Sequence, residues 1–495
     1  MKIFIFLHIM VLLLILGSCS TNKEGLSQKK WNVVFIAVDD LRPEINYFGA
    51  TYMHTPNIDQ LGAESRVFMN HFVNCAACGP SRSTLLAGRR TLNWDVFSSI
   101  RVSGQKPDSI FSLPQLFKEN GYKTVGIGKI SHKPGGVMDS LQLVPEVPYS
   151  WDTTYAPVGK WKNPWNAFFS YNHGKFRRYG YDRQNDTGMP PFEAGDVSDE
   201  GYADGLNAQE AIKQLNALKD TAFFLAVGFY KPHLPFNAPK KYWDLYDQNE
   251  LEAARVTNPP NEIDSRISLH SNRESYEPRT HYTWTGDTSN YIISREKGKI
   301  LKHGYCAAVS YVDAQIGKVL DEIKSLGMED RTIVVLWGDH GWHLGEYGIW
   351  GKYTNYDLAL NSPLIIKIPN LKSAGVRTES IVETVDIFPT LSDLCGLTKP
   401  DYLEGKSLVG VINDPDARVK NVSFSAREAF GAKGYSVRDE NYRLMVWDRN
   451  DKPNEIELFD YAREEVPTIN RAEEYPEKVN ELLQIMKKAS FYKTE

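Results

Sequence analysis

Cysteine is scarce in this sequence, and neither sign of charge predominates. The five cysteines among 495 residues are too few and too scattered for a disulfide framework. The 57 basic and 62 acidic side chains leave a net charge of −5 without long blocks of one sign, so a basic footprint for nucleic acid is absent. The sequence contains 42% apolar and 24% charged residues, a composition that suits a large folded core. This composition excludes disordered, collagen-like and coiled-coil proteins.

One long apolar run lies at the N-terminus. Lys2 precedes an apolar stretch over residues 3–16, and Leu-Gly-Ser-Cys closes it. The run is shorter than the ~20 residues of a transmembrane helix and has the plan of a secretory signal. Because its end resembles a bacterial lipobox, we predict a signal peptide over 1–18, lipidation of Cys19 and a polar tether over 19–30. The protein would then be an envelope lipoprotein, periplasmic or on the surface; an ordinary signal peptide cut nearby is the alternative.

Buried strands alternate with amphipathic segments, which predicts an α/β fold with a mostly parallel sheet. The predicted strands cover 33–38, 124–127, 222–229 and 333–337, and apolar residues at helical spacing predict a helix over 306–326. Ionisable residues follow the strands in turn: Asp39 and Asp40, then Lys129, then Lys231 and His233, then Asp339 and His340. Ligands of open α/β sheets bind outside the carboxyl ends of the strands, so we expect one site that combines carboxylates, imidazoles and lysines.

Two stretches interrupt this alternation, and the pattern changes near the C-terminus. Residues 143–205 are rich in aromatic side chains, and residues 250–300 are polar with little periodicity; both suit binding loops or surface decoration. After about residue 430, alternating patterns over 435–438 and 442–447 predict antiparallel strands, and a helix is predicted over 476–488. We therefore expect a main domain over 31–430 and a small α+β subdomain over 431–495.

The most specific pattern begins at Cys78, reads Cys-Gly-Pro-Ser-Arg and continues to Leu-Leu-Ala-Gly-Arg. Pro80 suits the first turn of a helix, and Gly88 suits its C-terminal stop. Cys78 would then lie at a helix N-terminus, which favours an anionic oxygen or a thiolate, and Arg82 would offer a fork for an oxyanion one turn later. Cys75 and Cys78 also have the spacing of a redox or zinc pair, but no second ligand pair follows at a useful spacing.

The motif C-x-P-S-R-x-x-L-L-x-G-R resembles the signature of type I sulfatases, in which a maturation enzyme oxidises the cysteine to Cα-formylglycine. Other segments resemble the iduronate-2-sulfatase-like members of that family: Gly128 to His132, Phe229 to His233, Asp339 to Trp342 and Trp350 to Lys352. The resemblance extends over most of the chain beyond residue 31. It implies an alkaline-phosphatase-like sandwich on a large mixed sheet, a catalytic domain over 31–430, and hydrolysis of sulfate esters by the gem-diol of the matured Cys78.

The resemblance also implies roles for single residues. It assigns one metal ion, calcium in the family, to Asp39, Asp40, Asp339, His340 and the matured Cys78. On ligand identity alone, magnesium and manganese stay open. The sulfate would be bound by Arg82, Lys129, His132, His233 and Lys352. Among them, His233 with help from Lys352 would protonate the leaving sugar oxygen, and His132 would accept the proton whose removal expels sulfate.

A 2-O-sulfated uronic acid at the end of a heparin-like oligosaccharide is the substrate that this resemblance implies. Its carboxylate needs a further cation, for which Arg89, Arg90 and Lys133 are candidates, and His343 could face the sugar. Other sulfated polysaccharides, including algal or 6-O-sulfated ones, are alternatives. So are a phosphatase or phosphodiesterase of the same fold and a lipoprotein that only binds glycans. We expect a monomer or a homodimer.

Overall fold

The computed structural model describes residues 30–90, 111–136, 146–147, 149–176, 189–269, 293–429, 431–449 and 452–489. The predicted signal peptide, Cys19 and all of the tether except its last residue lie outside this range, so the lipid anchor stays a prediction. In the part of the chain that is described, no helix is long and apolar enough to cross a membrane.

The secondary structure alternates between strands and helices along most of the chain. The strands are β1 (Asn32–Val38), β2 (Arg66–Phe68), β3 (His71–Phe72), β4 (Lys123–Gly128), β5 (Thr153–Tyr155), β6 (Phe192–Gly195), β7 (Phe223–Phe229), β8 (Phe236–Pro239), β9 (Thr332–Gly338), β10 (His343–Leu344), β11 (Trp350–Gly351), β12 (Leu364–Lys367), β13 (Arg377–Thr378), β14 (Val382–Glu383), β15 (Ser423–Ala429), β16 (Ala432–Arg438), β17 (Tyr442–Arg449) and β18 (Lys452–Asp460). The α-helices are α1 (Pro56–Ala63), α2 (Cys78–Ala87), α3 (Leu113–Glu119), α4 (Pro164–Phe168), α5 (Ala203–Leu218), α6 (Lys240–Trp243), α7 (Ser265–Ser268), α8 (Arg295–Ser325), α9 (Asp357–Leu360), α10 (Ile387–Leu394), α11 (Val409–Asn413) and α12 (Pro476–Lys488).

An eight-stranded sheet crosses the main domain in the order β13-β2-β12-β9-β1-β7-β4-β5. Strands β9, β1, β7 and β4 are parallel neighbours, whereas β12 is antiparallel to both β9 and β2. Alternate residues of β1 enter two separate cores: Val34 and Ile36 pack on the side of α8, and Val33 and Phe35 pack on the side of α2 and α10. The sheet is therefore buried on both faces, and the predicted α/β class with a mixed, mostly parallel sheet is confirmed.

The long helix α8 begins earlier than its apolar pattern predicts. It starts at Arg295 rather than near residue 306, and the side chain of Ser294 caps it by accepting the N–H of Lys297 at 3.3 Å. Its first turns are mostly polar, with Leu301 as a buried exception, so hydrophobic periodicity alone does not mark them. The cap, rather than the apolar face, determines where this helix begins.

A second, four-stranded antiparallel sheet has the order β15-β16-β17-β18. Helix α12 covers it with Val479, Leu482 and Met486, and its bounds are those that the periodicity predicts. The sheet begins at Ser423, before residue 431 where we expect the subdomain to start, because β15 pairs with β16 along its whole length. The sequence Ser-Phe-Ser-Ala-Arg-Glu-Ala of β15 contains no β-branched residue, which explains why this strand is not apparent from the sequence.

Candidate active site

The carboxyl ends of β9, β1, β7 and β4 lie side by side at one edge of the main sheet. The side chains that follow these ends include Asp39, Asp40, Lys129, His233, Asp339 and His340. All of them are buried except His233, which is partly exposed. Parallel strands therefore bring together residues from four distant parts of the chain, at the edge where the strand-end pattern predicts a site.

Cys78 is the first residue of α2 and is buried. Its sulfur lies 3.1 Å from Nζ of Lys352 and 3.3 Å from Nε2 of His340. Oδ1 of Asp40 is 3.8 Å away. Burial, together with the charge of Asp39, raises the pKa of the Cys78 thiol well above its usual value. The unmodified side chain is thus a neutral thiol and a poor nucleophile.

Three carboxylates near this sulfur are fully buried: Asp39, Asp40 and Asp339. Lys129 pairs with Asp39 at 2.6 Å, and Lys352 pairs with Asp40 at 2.7 Å. Arg82 pairs with Asp39 at 3.0 Å and with Asp339 at 2.9 Å. Three cations therefore face three anions away from bulk water, where an unpaired charge would cost several kcal/mol.

The two carboxylates that share Arg82 have opposite pKa shifts. Burial by itself raises the pKa of Asp39, but the positive charges of Lys129 and Arg82 outweigh it and hold that pKa well below its usual value. Burial and the neighbouring charge of Asp39 raise the pKa of Asp339 to about 7. Because a bound cation favours the charged form of nearby carboxylates, it would shift Asp339 toward full ionisation.

Two overlapping sets of side chains bring candidate ligand atoms within 4.8 Å of one another. One set is Asp39, Asp40, Cys78 and His233, and the other is Cys78, Asp339 and His340. The five ligands that the family resemblance implies all belong to these sets. Carboxylate oxygens with an imidazole suit a hard divalent cation, so the donor set fits calcium, and magnesium or manganese by ligand type.

Two histidines turn the same ring nitrogen toward this cluster. Nδ1 of His233 donates to the carbonyl of Leu234 at 2.6 Å, and Nδ1 of His340 donates to the carbonyl of Gly341 at 2.9 Å. The Nε2 atoms lie 3.9 Å and 3.3 Å, respectively, from the carboxylate of Asp40. Burial is the main reason that the pKa of each imidazole lies well below its usual value. Each neutral ring therefore presents a lone pair on Nε2 to the cluster.

Arg82 forms part of the frame of the site. Its Nε donates to Asp339, its Nη2 donates to Asp39, and its Nη1 donates to the backbone carbonyls of Lys129 and Ile130. The sequence predicts that the Arg82 guanidinium group binds an oxyanion. In the structure, this group instead binds two carboxylates and the backbone that follows β4. Arg82 thus fixes the position of two candidate metal ligands.

Aromatic residues from the stretch over 143–205 line the site beside the histidines. The ring centre of Phe168 is 4.6 Å from that of His233, and Nζ of Lys129 lies 4.4 Å from the Phe168 ring centre. Trp165 meets His132 edge-to-face at 6.3 Å. Burial and the charge of Lys129 lower the pKa of His132 to about 3, so His132 is neutral. Phe168 belongs to the aromatic-rich stretch that suits a binding loop, although no spacing in the sequence distinguishes it from the other aromatic residues there.

Arg89 and Arg90 lie at the far end of α2 from Cys78. The ten residues of this helix span about 15 Å. Arg90 pairs there with the buried Glu383 at 2.6 Å, and Arg89 lies over the ring of Tyr402 at 5.2 Å. Arg90 thus has a carboxylate partner of its own at that end of the helix, and the expectation that one of these arginines binds the substrate carboxylate stays a prediction.

His343 packs inside the fold, and its suggested contact with the sugar stays a prediction. It is fully buried, its Nε2 bonds to Oγ1 of Thr354 at 2.8 Å, and it packs against the rings of Tyr347 and Tyr356. Lys133 follows His132 in the chain and is half-buried.

The chain is similar to known proteins over most of its length. The sulfatase family profile matches residues 31–397, and the profile for the C-terminal part of N-sulphoglucosamine sulphohydrolase matches residues 345–491. Human iduronate 2-sulfatase is 33% identical over 489 residues, which covers 84% of this chain and 84% of that protein. Mouse iduronate 2-sulfatase is 34% identical over 429 residues, which covers 78% of this chain and 73% of that protein.

A solved structure confirms the predicted fold. Phosphonate monoester hydrolase of Agrobacterium radiobacter superposes with a TM-score of 0.74 at 21% identity, over 92% of this chain and 95% of its own. The likeness at this identity shows the alkaline-phosphatase-like fold alone. Since the family profile covers most of the chain and the profile's region contains Cys78 with its surrounding cluster, this chain belongs to the sulfatase family and is a sulfuric ester hydrolase.

Proposed function

We propose that this sulfatase removes the 2-O-sulfate of a uronic acid at the end of a sulfated oligosaccharide. The observation that carries the proposal is the position of Cys78, buried at a helix start, 3.1 Å from Lys352 and 3.3 Å from His340. The sugar and the sulfate position are supported by the identity of 33–34% to two iduronate 2-sulfatases.

Two groups complete the site in this proposal. Formylglycine made from Cys78 by a maturation enzyme would supply, as its hydrate, an oxygen nucleophile, and a bound calcium ion would supply Lewis-acid chemistry that favours the ionised hydrate. Asp39, Asp40, Asp339 and His340 would hold the ion. Side chains of this protein bind the sulfate and transfer the protons.

Lys129 and Lys352 bind the sulfate. Their ammonium groups pair with Asp39 and Asp40 at 2.6 Å and 2.7 Å, so both cations are fixed before substrate arrives. Fixed cations stabilise the negative charge that develops on the sulfate oxygens without a cost of reorganisation. Arg82 supports sulfate binding indirectly, because its ion pairs keep Asp39 and Asp339 in place.

His132 and His233 move the protons. His132 is neutral before substrate binds, and the negative charge of the sulfate raises its pKa, so that it accepts the proton released at position 78 when sulfate leaves. A bound sulfate favours the charged form of His233, because an opposite charge within a few ångströms raises the pKa of an imidazole. His233 then donates from Nε2 to the leaving sugar oxygen, and Lys352, whose Nζ lies 3.1 Å from the sulfur of Cys78, assists.

The uronate would lie beyond the sulfate. Lys133 pairs with its carboxylate, since a buried unpaired carboxylate would be costly. Trp165 and Phe168 form an apolar wall beside His132 and His233, which suits the carbon face of a sugar ring. A closed pocket would admit only a chain end, whereas an open groove would also admit internal residues; exo action is part of our proposal.

We also propose that the mature protein is an envelope lipoprotein. The support is the apolar run over 3–16 and the Leu-Gly-Ser-Cys sequence that ends at Cys19. In cells fed an alkyne fatty acid, the full chain should acquire the label and C19A should not. Equal labelling of both forms, or labelling of neither, would contradict the anchor.

The experiment that tests the function measures sulfate release from defined disaccharides. The panel holds a 2-O-sulfated uronate disaccharide, its 6-O-sulfated isomer, an aryl sulfate and a phosphate monoester. We expect the 2-O-sulfated compound to be the best substrate. Preference for the 6-O isomer would discard the uronate assignment and leave the sulfatase chemistry standing, whereas preference for the phosphate would discard both. Mass spectrometry of the peptide that contains residue 78 shows the fraction matured.

A further inference from the structure

The segment between β7 and β8 carries His233 and also a buried lysine that the proposed chemistry does not use. Lys231 is 2% exposed. Its Nζ donates to the carbonyl oxygens of His233 at 2.9 Å and Pro235 at 2.5 Å. An ammonium group has three donors, so this one side chain ties together two carbonyls of its own segment.

Asp204 holds the beginning of the same segment. It lies in the first turn of α5 and is 1% exposed. Its Oδ1 accepts the backbone N–H of Tyr230 and its Oδ2 accepts that of Lys231, each at 2.8 Å. Buried polar groups need such partners. A carboxylate from one element and an ammonium from another are thus both directed at the backbone that surrounds His233.

This backbone determines where the His233 ring points. The N–H of His233 donates to the carbonyl of Tyr230 at 3.0 Å, and Nδ1 donates to the carbonyl of Leu234 at 2.6 Å. The Leu234 carbonyl lies between the two carbonyls that Lys231 holds, so a shift of that stretch would rotate the ring. With Nδ1 engaged, Nε2 is the atom that faces the cluster, 3.9 Å from Oδ2 of Asp40.

We propose that Lys231 and Asp204 are positioning residues that hold Nε2 of His233 toward the leaving oxygen. This inference rests on the proposed function, in which the oxygen at position 78 would form a bond to sulfur while the S–O bond to the sugar breaks and its electron pair goes to the sugar oxygen. Nε2 of His233, protonated once the sulfate is bound, gives its proton to that oxygen. The alternative is that Lys231 and Asp204 only stabilise the fold. In that case, replacing either residue would lower the hydrolysis rate of every substrate by the same factor.

The test compares two sulfate esters with different leaving groups. A sugar alkoxide leaves poorly without a proton, whereas 4-nitrophenolate leaves without one. For K231M, we expect kcat to fall about tenfold or more on the sugar sulfate that the wild type hydrolyses best, and less than about threefold on 4-nitrophenyl sulfate. The matched control K213M changes a lysine of α5 that is 71% exposed, and it should behave as wild type on both esters.

A double-mutant cycle separates positioning from an independent effect. If Lys231 acts through His233, then K231M/H233Q should hydrolyse the sugar sulfate no more slowly than H233Q. Equal losses on the two esters, an unchanged rate on the sugar sulfate, or additive losses in the double variant would overturn the proposal.

If K231M does not fold, Asp204→Asn is used for the same comparison of kcat on the two sulfate esters. It keeps the side-chain volume and replaces one of the two oxygens that accept a backbone N–H, so the same selective loss on the sugar sulfate is expected. The proposed function itself is tested with the wild-type protein. If wild-type protein with a matured Cys78 releases no sulfate from either ester, the proposed function is refuted rather than this inference.

Discussion

Nζ of Lys352 lies 3.1 Å from Sγ of Cys78, although 274 positions separate the two residues in the chain. The same ammonium group contacts Oδ1 of Asp40 at 2.7 Å. A buried cation at this distance stabilises negative charge on the atom that occupies position 78. The C-terminal sheet supports the arrangement, since Asn355, in the loop that follows Lys352, donates to the carbonyl of Gly434 at 3.3 Å.

Replacing Cys78 by alanine should abolish sulfate release and leave the fold intact. The change removes one sulfur atom, which costs about 1 kcal/mol of packing, whereas the nucleophile is lost completely. C78S should also be nearly inactive unless the host has a serine-type maturase. Ion chromatography of released sulfate and far-UV circular dichroism check both points. A fully active C78A enzyme would contradict the proposed mechanism.

Replacing Arg82 by glutamine should destabilise the protein as well as inactivate it. The variant leaves Asp39 and Asp339 without their shared partner, and breaking a buried pair in this way costs roughly 3–5 kcal/mol. Urea unfolding measures the loss. The control R255Q removes an arginine that is 83% exposed, and its free energy of unfolding should change by less than about 0.5 kcal/mol. Equal stabilities for R82Q and R255Q would argue against the framing role of Arg82.

Chelation of divalent cations should inactivate the enzyme, and calcium should restore activity better than zinc. An oxygen-rich ligand set prefers a hard cation. Because ligands that bind only the folded state stabilise it, calcium should also raise Tm, and D339N should reduce that rise. The control D244N changes an aspartate that is 58% exposed, so the calcium effect on Tm should persist. A Tm that does not respond to calcium in the wild type would contradict the site.

Asp199 should make stability depend on pH in the acid range. Burial by itself raises the pKa of Asp199, but hydrogen bonds from Lys241 and Lys318 outweigh it and lower the pKa to about 2. A depressed carboxyl pKa stabilises the fold above the unfolded value of about 4, and this contribution is lost as pH falls toward 2. After allowance for screening by solvent, the Asp199 carboxylate contributes about 1 kcal/mol to the free energy of unfolding.

The variant D199N should remove this part of the pH dependence. Urea unfolding at pH 6, 4 and 3 provides the comparison: the difference between wild type and D199N should shrink as the pH decreases. A difference that stays constant over this range would show that the carboxylate charge of Asp199 does not contribute.

Lys133 and Arg90 should differ in their effect on substrate binding. We expect K133Q to raise KM about tenfold for a 2-O-sulfated uronate and to leave KM for an aryl sulfate unchanged, because only the uronate has a carboxylate to pair. R90Q should leave both KM values unchanged and lower Tm, since Arg90 pairs with the buried Glu383 at 2.6 Å. An unchanged uronate KM in K133Q would exclude Lys133 as the carboxylate partner.

Hydrophobic patterns predicted much of the fold. The four central strands lie within a residue of their predicted bounds, and α12 begins and ends where the periodicity places it. These features depend on short-range regularities, because a strand buried on both faces is continuously apolar and an amphipathic helix repeats every 3.6 residues. Where local signals were weak, the prediction was incomplete: polar first turns concealed the start of α8, and a strand without β-branched residues concealed β15.

Local patterns in the sequence are enough to place the ionisable residues at the strand ends and Cys78 at the start of a helix. How the charged side chains pair depends on the tertiary fold. Arg82 serves Asp39 and Asp339 rather than a free oxyanion, and Arg90 is drawn to Glu383. The physical reason is that secondary-structure signals act over a few residues, whereas a buried charge must find its partner among whatever segments the fold brings close, since its desolvation is otherwise uncompensated.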